Sequence, residues 1–404
     1  MTEAALLHSL MRDAHEFILL AGALGVLSVL AGLVSQRIGA PILLAFLALG
    51  LLAGRDGILG IQFTDYATSY LVGSVALAVI LLEGGLKTTV TEFRTVFWPA
   101  LALATIGVAV TALIVGGAVT LIGDAPLTGA LIAGAIAAPT DAAAVAVLLR
   151  RSGAAVSEKL LATLEIESGL NDPMSVFLTF TLLRIYAGQG TVTIPQVAVN
   201  FLEEMFGGAV IGLTAGWALA YVLRRLPKET ALATVLALAG GLCVFGLAQL
   251  VGASGFLATY LAGVMMGSGA PLMRDKLEPF FEGMGWLAQI VLFLMLGLMI
   301  TPHTLPQYFP VAIAGAAVLM LVARPVAVFG CLLPFGFSLR ESAFASWVGL
   351  RGAVPIYLSL IPAMVDPERD ARLFAVITIV VVASLLVQGW TVAPAARLLG
   401  FRGR

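Results

Sequence analysis

Charge is what this chain has least of. Only 11% of its 404 residues are Asp, Glu, Lys or Arg, and 60% are hydrophobic, whereas a soluble domain carries about 25% charged residues. That scarcity excludes a soluble globular fold, and with a formal net charge of −1 no nucleic-acid partner is expected. Cysteine is scarce too. Cys243 and Cys331 lie in separate apolar segments, which excludes a disulfide framework and a cysteine metal site. The three histidines form no Cys/His cluster, so no transition-metal site is expected. There is no nucleophile–base set and no nucleotide fingerprint after a predicted strand, so neither an enzyme nor a cofactor is expected. The first apolar run, from Phe17, follows Glu3, Arg12, Asp13 and Glu16. It lacks a basic leader region and reads as a true membrane span rather than a signal peptide.

What the chain does have is apolar runs of membrane length. They fall near 17–35, 40–54, 67–86, 96–122, 127–149, 160–186, 200–223, 230–251, 254–270, 285–301, 309–334, 341–362 and 372–396. Counted as thirteen spans, they leave fifteen Lys and Arg residues in segments on one side and five on the other. Basic residues concentrate on the cytoplasmic side. The N-terminus is therefore expected outside and the C-terminus, at Arg404, in the cytoplasm. The expected fold is an all-α polytopic membrane protein of thirteen helices.

Several charges sit inside these runs. A charge at bilayer depth costs at least roughly 2.5–3.5 kcal/mol on insertion scales, and such residues mark ion paths and proton relays. At ~1.5 Å per residue, Asp141 is roughly 21 Å into its run and Asp172 roughly 18 Å from the other face. Arg324 and Arg351 also come out near the middle, and Glu83 lies deeper toward the cytoplasmic side. Four midplane charges, two of each sign, indicate one buried polar centre.

Two of the runs are interrupted. Ala138-Pro139-Thr140-Asp141 and Gly352-Ala353-Val354-Pro355 place proline mid-membrane, where it frees backbone carbonyls. Paired interruptions in two halves are the sequence mark of an inverted-repeat transporter with crossed broken helices. The repeats are read as 17–186 and 230–398, six helices each, with 200–223 as a linker helix in one transporter domain spanning 1–404. Core helices are expected over 67–186 and 285–398, and scaffold or dimerisation helices over 17–54 and 200–270.

Within Glu167-Ser168-Gly169-Leu170-Asn171-Asp172-Pro173, Ser168 and Asp172 share a helix face, as do Glu167 and Asn171. Glu167 and Asp172, five apart, point about 140° away from each other and are expected to do different jobs. Glu167 needs a cationic partner at this depth; Arg324 is the first candidate and Arg351 the second. Asp172, Asp141, the Thr140 carbonyl and Ser168 make a hard-oxygen cluster for a monovalent cation, K⁺ or Na⁺. A carboxylate withdrawn from water takes up either a proton or a cation, and that competition is a mechanism for exchange. Glu83 is expected to line the cavity. A cation channel would also place polar residues at the midplane, but needs no titrating carboxylate.

At these residues the chain resembles the cation:proton antiporter-1 family, the NhaP-type exchangers. The resemblance is carried by Pro139-Thr140-Asp141-Ala142-Ala143-Ala144-Val145, by the Glu167–Pro173 run and by Gly349-Leu350-Arg351-Gly352-Ala353-Val354-Pro355. It covers essentially the whole chain and is closest to the bacterial potassium/proton branch, the cell-volume-regulation antiporters. It implies a homodimer working by an elevator-like motion, with Asp172 as ion and proton carrier. Asn171 is implied as the neutral partner of an electroneutral exchanger, and Thr140, Asp141 and Ser168 as the coordination shell. Glu83 is implied in a water-mediated contact, and Glu167 in an ion pair with Arg324. The transported ions are then K⁺ or Na⁺ against H⁺, with a sodium/proton exchanger of little potassium activity as the alternative. That branch usually continues into cytoplasmic regulatory domains, and the sequence here ends at Arg404, so the resemblance implies nothing about regulation.

Overall fold

The computed structural model describes residues 3–38, 41–123, 125–152, 154–188, 193–227, 231–365 and 367–401. Lys228, Arg402 and Arg404, which contribute to the charge bias, lie outside the described residues. Among the described residues there is no β-strand. The chain runs through α1 (Glu3–Ile38), α2 (Ile42–Ala53) and α3 (Tyr66–Lys87). Next, α4 (Val90–Ala102) passes through a turn of π-helix, Leu103–Gly107, into α5 (Val108–Gly123). Then come α6 (Leu127–Ala137), α7 (Ala142–Ser152), α8 (Glu158–Tyr186), α9 (Ile194–Leu223), α10 (Leu232–Leu250), α11 (Gly255–Gly269) and α12 (Pro271–Met299). A second π turn, Leu319–Ala323, joins α13 (Phe309–Val318) to α14 (Arg324–Leu332), and α15 (Leu339–Trp347), α16 (Ala353–Val365) and α17 (Pro367–Leu398) finish the chain.

Local chemistry sets the helix starts. The Asp65 carboxylate accepts the Thr68 amide at 3.0 Å and opens α3. Ser157 opens α8 by accepting the Leu160 amide. Thr89 with Glu92, and Ser338 with Glu341, form reciprocal capping boxes at α4 and α15. Each cap satisfies amides that the first turn of a helix leaves without partners.

All thirteen apolar runs fall on helices or helix pairs. By length and composition alone, eight of the described helices are long and apolar enough to cross a membrane, or nine if the pair Leu127–Ala137 and Ala142–Leu149, bent by 40°, is one span. The other runs fall on α2, α8, α11 and the α15–α16 pair, which are short, broken or carry the charges of interest. Leu19, Phe206 and Trp217 are 74%, 72% and 58% exposed, as suits helices whose outer face meets lipid.

The same series occurs twice. A helix containing a π turn, a broken helix and a long continuous helix appear as α4/α5, α6/α7, α8 and again as α13/α14, α15/α16, α17. These two series pack together as one bundle. The second bundle is α1–α3 with α9–α12, in which α11 lies along α3 and α9, and α12 along α2 and α3. The division therefore falls elsewhere than the core boundaries expected from the sequence. Both α3 and α12, expected in the core, pack against helices expected as scaffold, α11 and α2 respectively. Apolar periodicity marks a helix as buried, but it does not say which neighbour buries it.

Candidate ion-binding site

The two broken helices cross at their breaks. The Asp141 amide donates to the Leu350 carbonyl at 2.8 Å, so the gap between α6 and α7 is tied to the gap between α15 and α16. Gly352 stands where a Cβ would run into the Asp141 carboxylate, and this close approach is why the second break carries glycine. The free carbonyls that end α6 are not left bare. The Arg351 guanidinium donates to the Ala138 carbonyl and, at 2.9 Å, to the Pro139 carbonyl. Arg351 thus serves a helix C-terminus, where carbonyls concentrate negative partial charge. It was the second candidate to pair with Glu167, and the structure assigns its hydrogen bonds to backbone instead. Freed carbonyls at a break leave no residue-type signal, which is why spacing pointed to a carboxylate.

Glu167 meets Arg324. The guanidinium donates to both carboxylate oxygens, at 2.5 and 2.9 Å, and both residues are buried. A forked pair of this kind is the strong geometry for a buried charge. Arg324 is the first residue after the second π turn, and its stem lies against Gly349, where a Cβ would sit 2.8 Å from Nε. The motif glycines on either side of Arg351 thus make room for Arg324 and Asp141.

On the neighbouring face of α8, Ser168 Oγ donates to the Thr140 carbonyl at 2.8 Å and accepts the Ala142 amide at 3.4 Å. Asn171 Nδ2 donates to Thr140 Oγ1 at 2.8 Å. Asp141 accepts the Ala144 amide at 2.9 Å, so one of its oxygens caps α7. Asp172 is 4% exposed, and its Oδ1, like Asn171 Oδ1, has no partner among the described residues. Pro173 follows inside the helix, leaving the Gly169 carbonyl without its usual helical donor. The structure therefore brings Asp172, Asp141, Thr140, Ser168 and Asn171 together and holds Glu167 and Arg324 apart from them.

A cavity of about 200 Å³ lies between the two bundles. Asp172, Asp141, Thr140 and Ser168 line it from one bundle, and Glu83, Lys87, Tyr260 and Glu282 from the other. Its rim carries exposed Lys87, Glu165 and Glu282. Glu83 is in the lining and pairs with Lys87 at 2.6 Å, a pairing whose sequence signal is the i, i+4 spacing of the two. Beyond Leu77 and Pro355, which line the cavity, the Ser74 and Tyr357 hydroxyls lie 2.8 Å apart. Tyr357 stacks on Tyr70 and meets Phe256 edge-on, so the hydroxyl pair is backed by aromatic rings. The arrangement offers a small cation several hard oxygens and a carboxylate that can take a proton in its place.

Residues 25–398 match the transmembrane sodium/hydrogen exchanger family. Over 386 residues the chain is 44% identical to the K⁺/H⁺ antiporter NhaP2 of Shewanella sp. strain ANA-3, spanning 95% of this chain and 67% of that one. It is 41% identical over 382 residues to the K⁺/H⁺ antiporter NhaP of Alkalimonas amylolytica, spanning 95% and 66% of the two chains. In structure it is similar to the sodium proton antiporter MjNhaP1 of Methanocaldococcus jannaschii. The TM-score is 0.79 at 23% identity, over 95% of this chain and all of that one, a likeness of fold.

Proposed function

Because the chain belongs to the sodium/hydrogen exchanger family, we propose that this multi-pass membrane protein is a monovalent-cation/proton antiporter exchanging cytoplasmic K⁺ for external H⁺. The observation that carries the reading is the cavity between two helix bundles that ends on Asp172, whose buried oxygen lacks a protein partner. Asp172 holds the cation with help from Asp141, the Thr140 carbonyl and Ser168, or releases it and holds a proton. One carboxylate cannot hold both, so the ions move in opposite directions. Asn171, a neutral neighbour bonded to Thr140, adds no second titrating charge, and the exchange is one for one. K⁺ is preferred over Na⁺ in this proposal because both antiporter relatives described above, at 44% and 41% identity, are named for it.

The remaining features follow from the same proposal. Thirteen spans place the N-terminus outside, and the rim of Lys87, Glu165 and Glu282 then faces the cytoplasm. The α4–α8 and α13–α17 bundle moves against the other, which forms the contact of a homodimer. The test is cation-driven proton movement in proteoliposomes, with K⁺, Na⁺, Li⁺ and Rb⁺ compared across pH. K⁺ is expected to drive exchange without response to an imposed membrane potential. Activity with Na⁺ alone would overturn the ion assignment, and a marked response to potential would overturn the stoichiometry. Proton movement that persists with impermeant cations would replace the antiporter with a leak.

A further inference from the structure

Asp172 is the last residue of α8 in the cavity lining, but the polar face of that helix runs on. At 100° per residue, Glu165, Ser168, Asp172, Ser175 and Thr179 fall within about 80° of one another. Glu165, Ser168 and Asp172 line the cavity, whereas Ser175 and Thr179, further along the helix, are not in its lining. Both are 0% exposed, and neither hydroxyl has a partner among the described residues. Among the described residues Ser28 and Ser342 are the other buried hydroxyls without a partner, and neither lies on α8. Thr163, Thr259 and Thr378 are comparably buried, and each donates to the carbonyl four residues back. A buried hydroxyl left without a partner is costly, and the backbone bond that would relieve it is available to serine and threonine in any helix.

We propose that Ser175 and Thr179 form the second half of the ion's path. Their hydroxyls take up water or the partly dehydrated cation when Asp172 is open to the face away from the Lys87–Glu165 rim. The proposal rests on the antiporter reading. A carrier that loads Asp172 from one side must release the ion on the other, and these hydroxyls continue the stripe in that direction. Thr179 is about 10 Å past Asp172 along the helix, as far as Glu165 is before it. The two halves of the stripe are thus matched in length, one lining the cavity and one buried.

The test is thiol labelling in sealed vesicles, after Cys243 and Cys331 are replaced. Ser175→Cys and Thr179→Cys are expected to react with a membrane-impermeant methanethiosulfonate added to the side opposite the rim, under turnover with K⁺. Thr163→Cys, equally buried on the opposite face of α8, is expected to stay unlabelled. The combined Ser175→Ala and Thr179→Val change is expected to lower turnover severalfold with the KM for K⁺ at the rim unchanged. Ser175→Thr and Thr179→Ser, which keep the hydroxyls, should retain exchange. Labelling absent at both positions, or a hydroxyl-free protein that exchanges at the parent rate, overturns the proposal. If the parent itself moves no protons in response to cations, the antiporter reading fails, and labelling alone decides whether a hydrated path exists.

Discussion

The two breaks differ in whether the polar groups that the neighbouring long helices, α8 and α17, bring to them are satisfied. At the second break the bookkeeping closes. Ser384 Oγ accepts the Arg351 amide at 3.1 Å and donates to Gln388 Oε1 at 2.6 Å, and Gln388 Nε2 donates to the Trp347 carbonyl at 2.8 Å. At the first break the same geometry recurs, with Ser168 serving the gap and Asp172 four residues later. Here Asp172 Oδ1 and Asn171 Oδ1 are left over. Two helices of the same design thus carry an amide at one site and a carboxylate at the other. The amide finds both a donor and an acceptor and locks its break. The carboxylate can only accept, finds no donor for one oxygen, and faces a cavity. A satisfied network rigidifies, whereas an unsatisfied buried acceptor marks a place for a ligand.

The sharpest way to break this comparison is Asp172→Asn. The variant makes the first break resemble the second, and cation-driven proton movement should drop to that of protein-free vesicles; residual exchange at a substantial fraction of the parent rate would remove Asp172 from the carrier role. Next in size is Glu167→Gln, which strands Arg324 in the interior. Breaking a buried ion pair from one side costs roughly 3–5 kcal/mol, so thermal stability in detergent should fall steeply, with little change in KM among molecules that fold. A stable variant with altered KM would move Glu167 into the site. Gln388→Ala should cost about 1–3 kcal/mol by stranding its buried partners, again as a lower Tm rather than a changed KM. If KM shifts and Tm does not, the second break also binds the ion.

The smallest effect is expected far from both breaks, at a surface pair that calibrates the others. Asp56, between α2 and α3, accepts the His303 amide at 3.1 Å and lies 2.5 Å from its ring Nδ1. The bond to the His303 side chain, and then the bond to its backbone, hold the Asp56 carboxyl below its ordinary value. The native state therefore favours the ionised form. The resulting stability is present above the ordinary carboxylate range and is lost as pH falls through and below it. Asp56→Asn should lower Tm slightly near neutral pH, with the difference vanishing in acid and exchange unchanged. A change in exchange rate would show that this loop is coupled to the carrier.

Much of the site was legible in the sequence because burial of charge in a membrane is costly enough to leave a pattern. Asp141, Glu167, Asp172, Arg324 and Arg351 stand out as charges in apolar runs. The 140° between Glu167 and Asp172 separates their faces before any coordinates are known, and the structure pairs Glu167 with Arg324. Other features left no such trace. The π turns at Leu103–Gly107 and Leu319–Ala323 are made of ordinary apolar residues. Arg351 serves backbone carbonyls, which every residue possesses. Ser175 and Thr179 look like any hydroxyls in a membrane helix until their partners are sought.

The sequence by itself determined the fold class, the two breaks and the face of α8 that lines the cavity. Each follows from short-range rules: apolar length, proline's missing amide, and the 100° step of the helix. Only the tertiary structure decided that α3 packs on α11 and α12 on α2, that Arg351 caps α6, and that Gln388 is satisfied while Asp172 is not. Those are questions of which partner meets which, and hydrogen bonds and close packing depend on separations of a few ångströms between residues far apart in the chain.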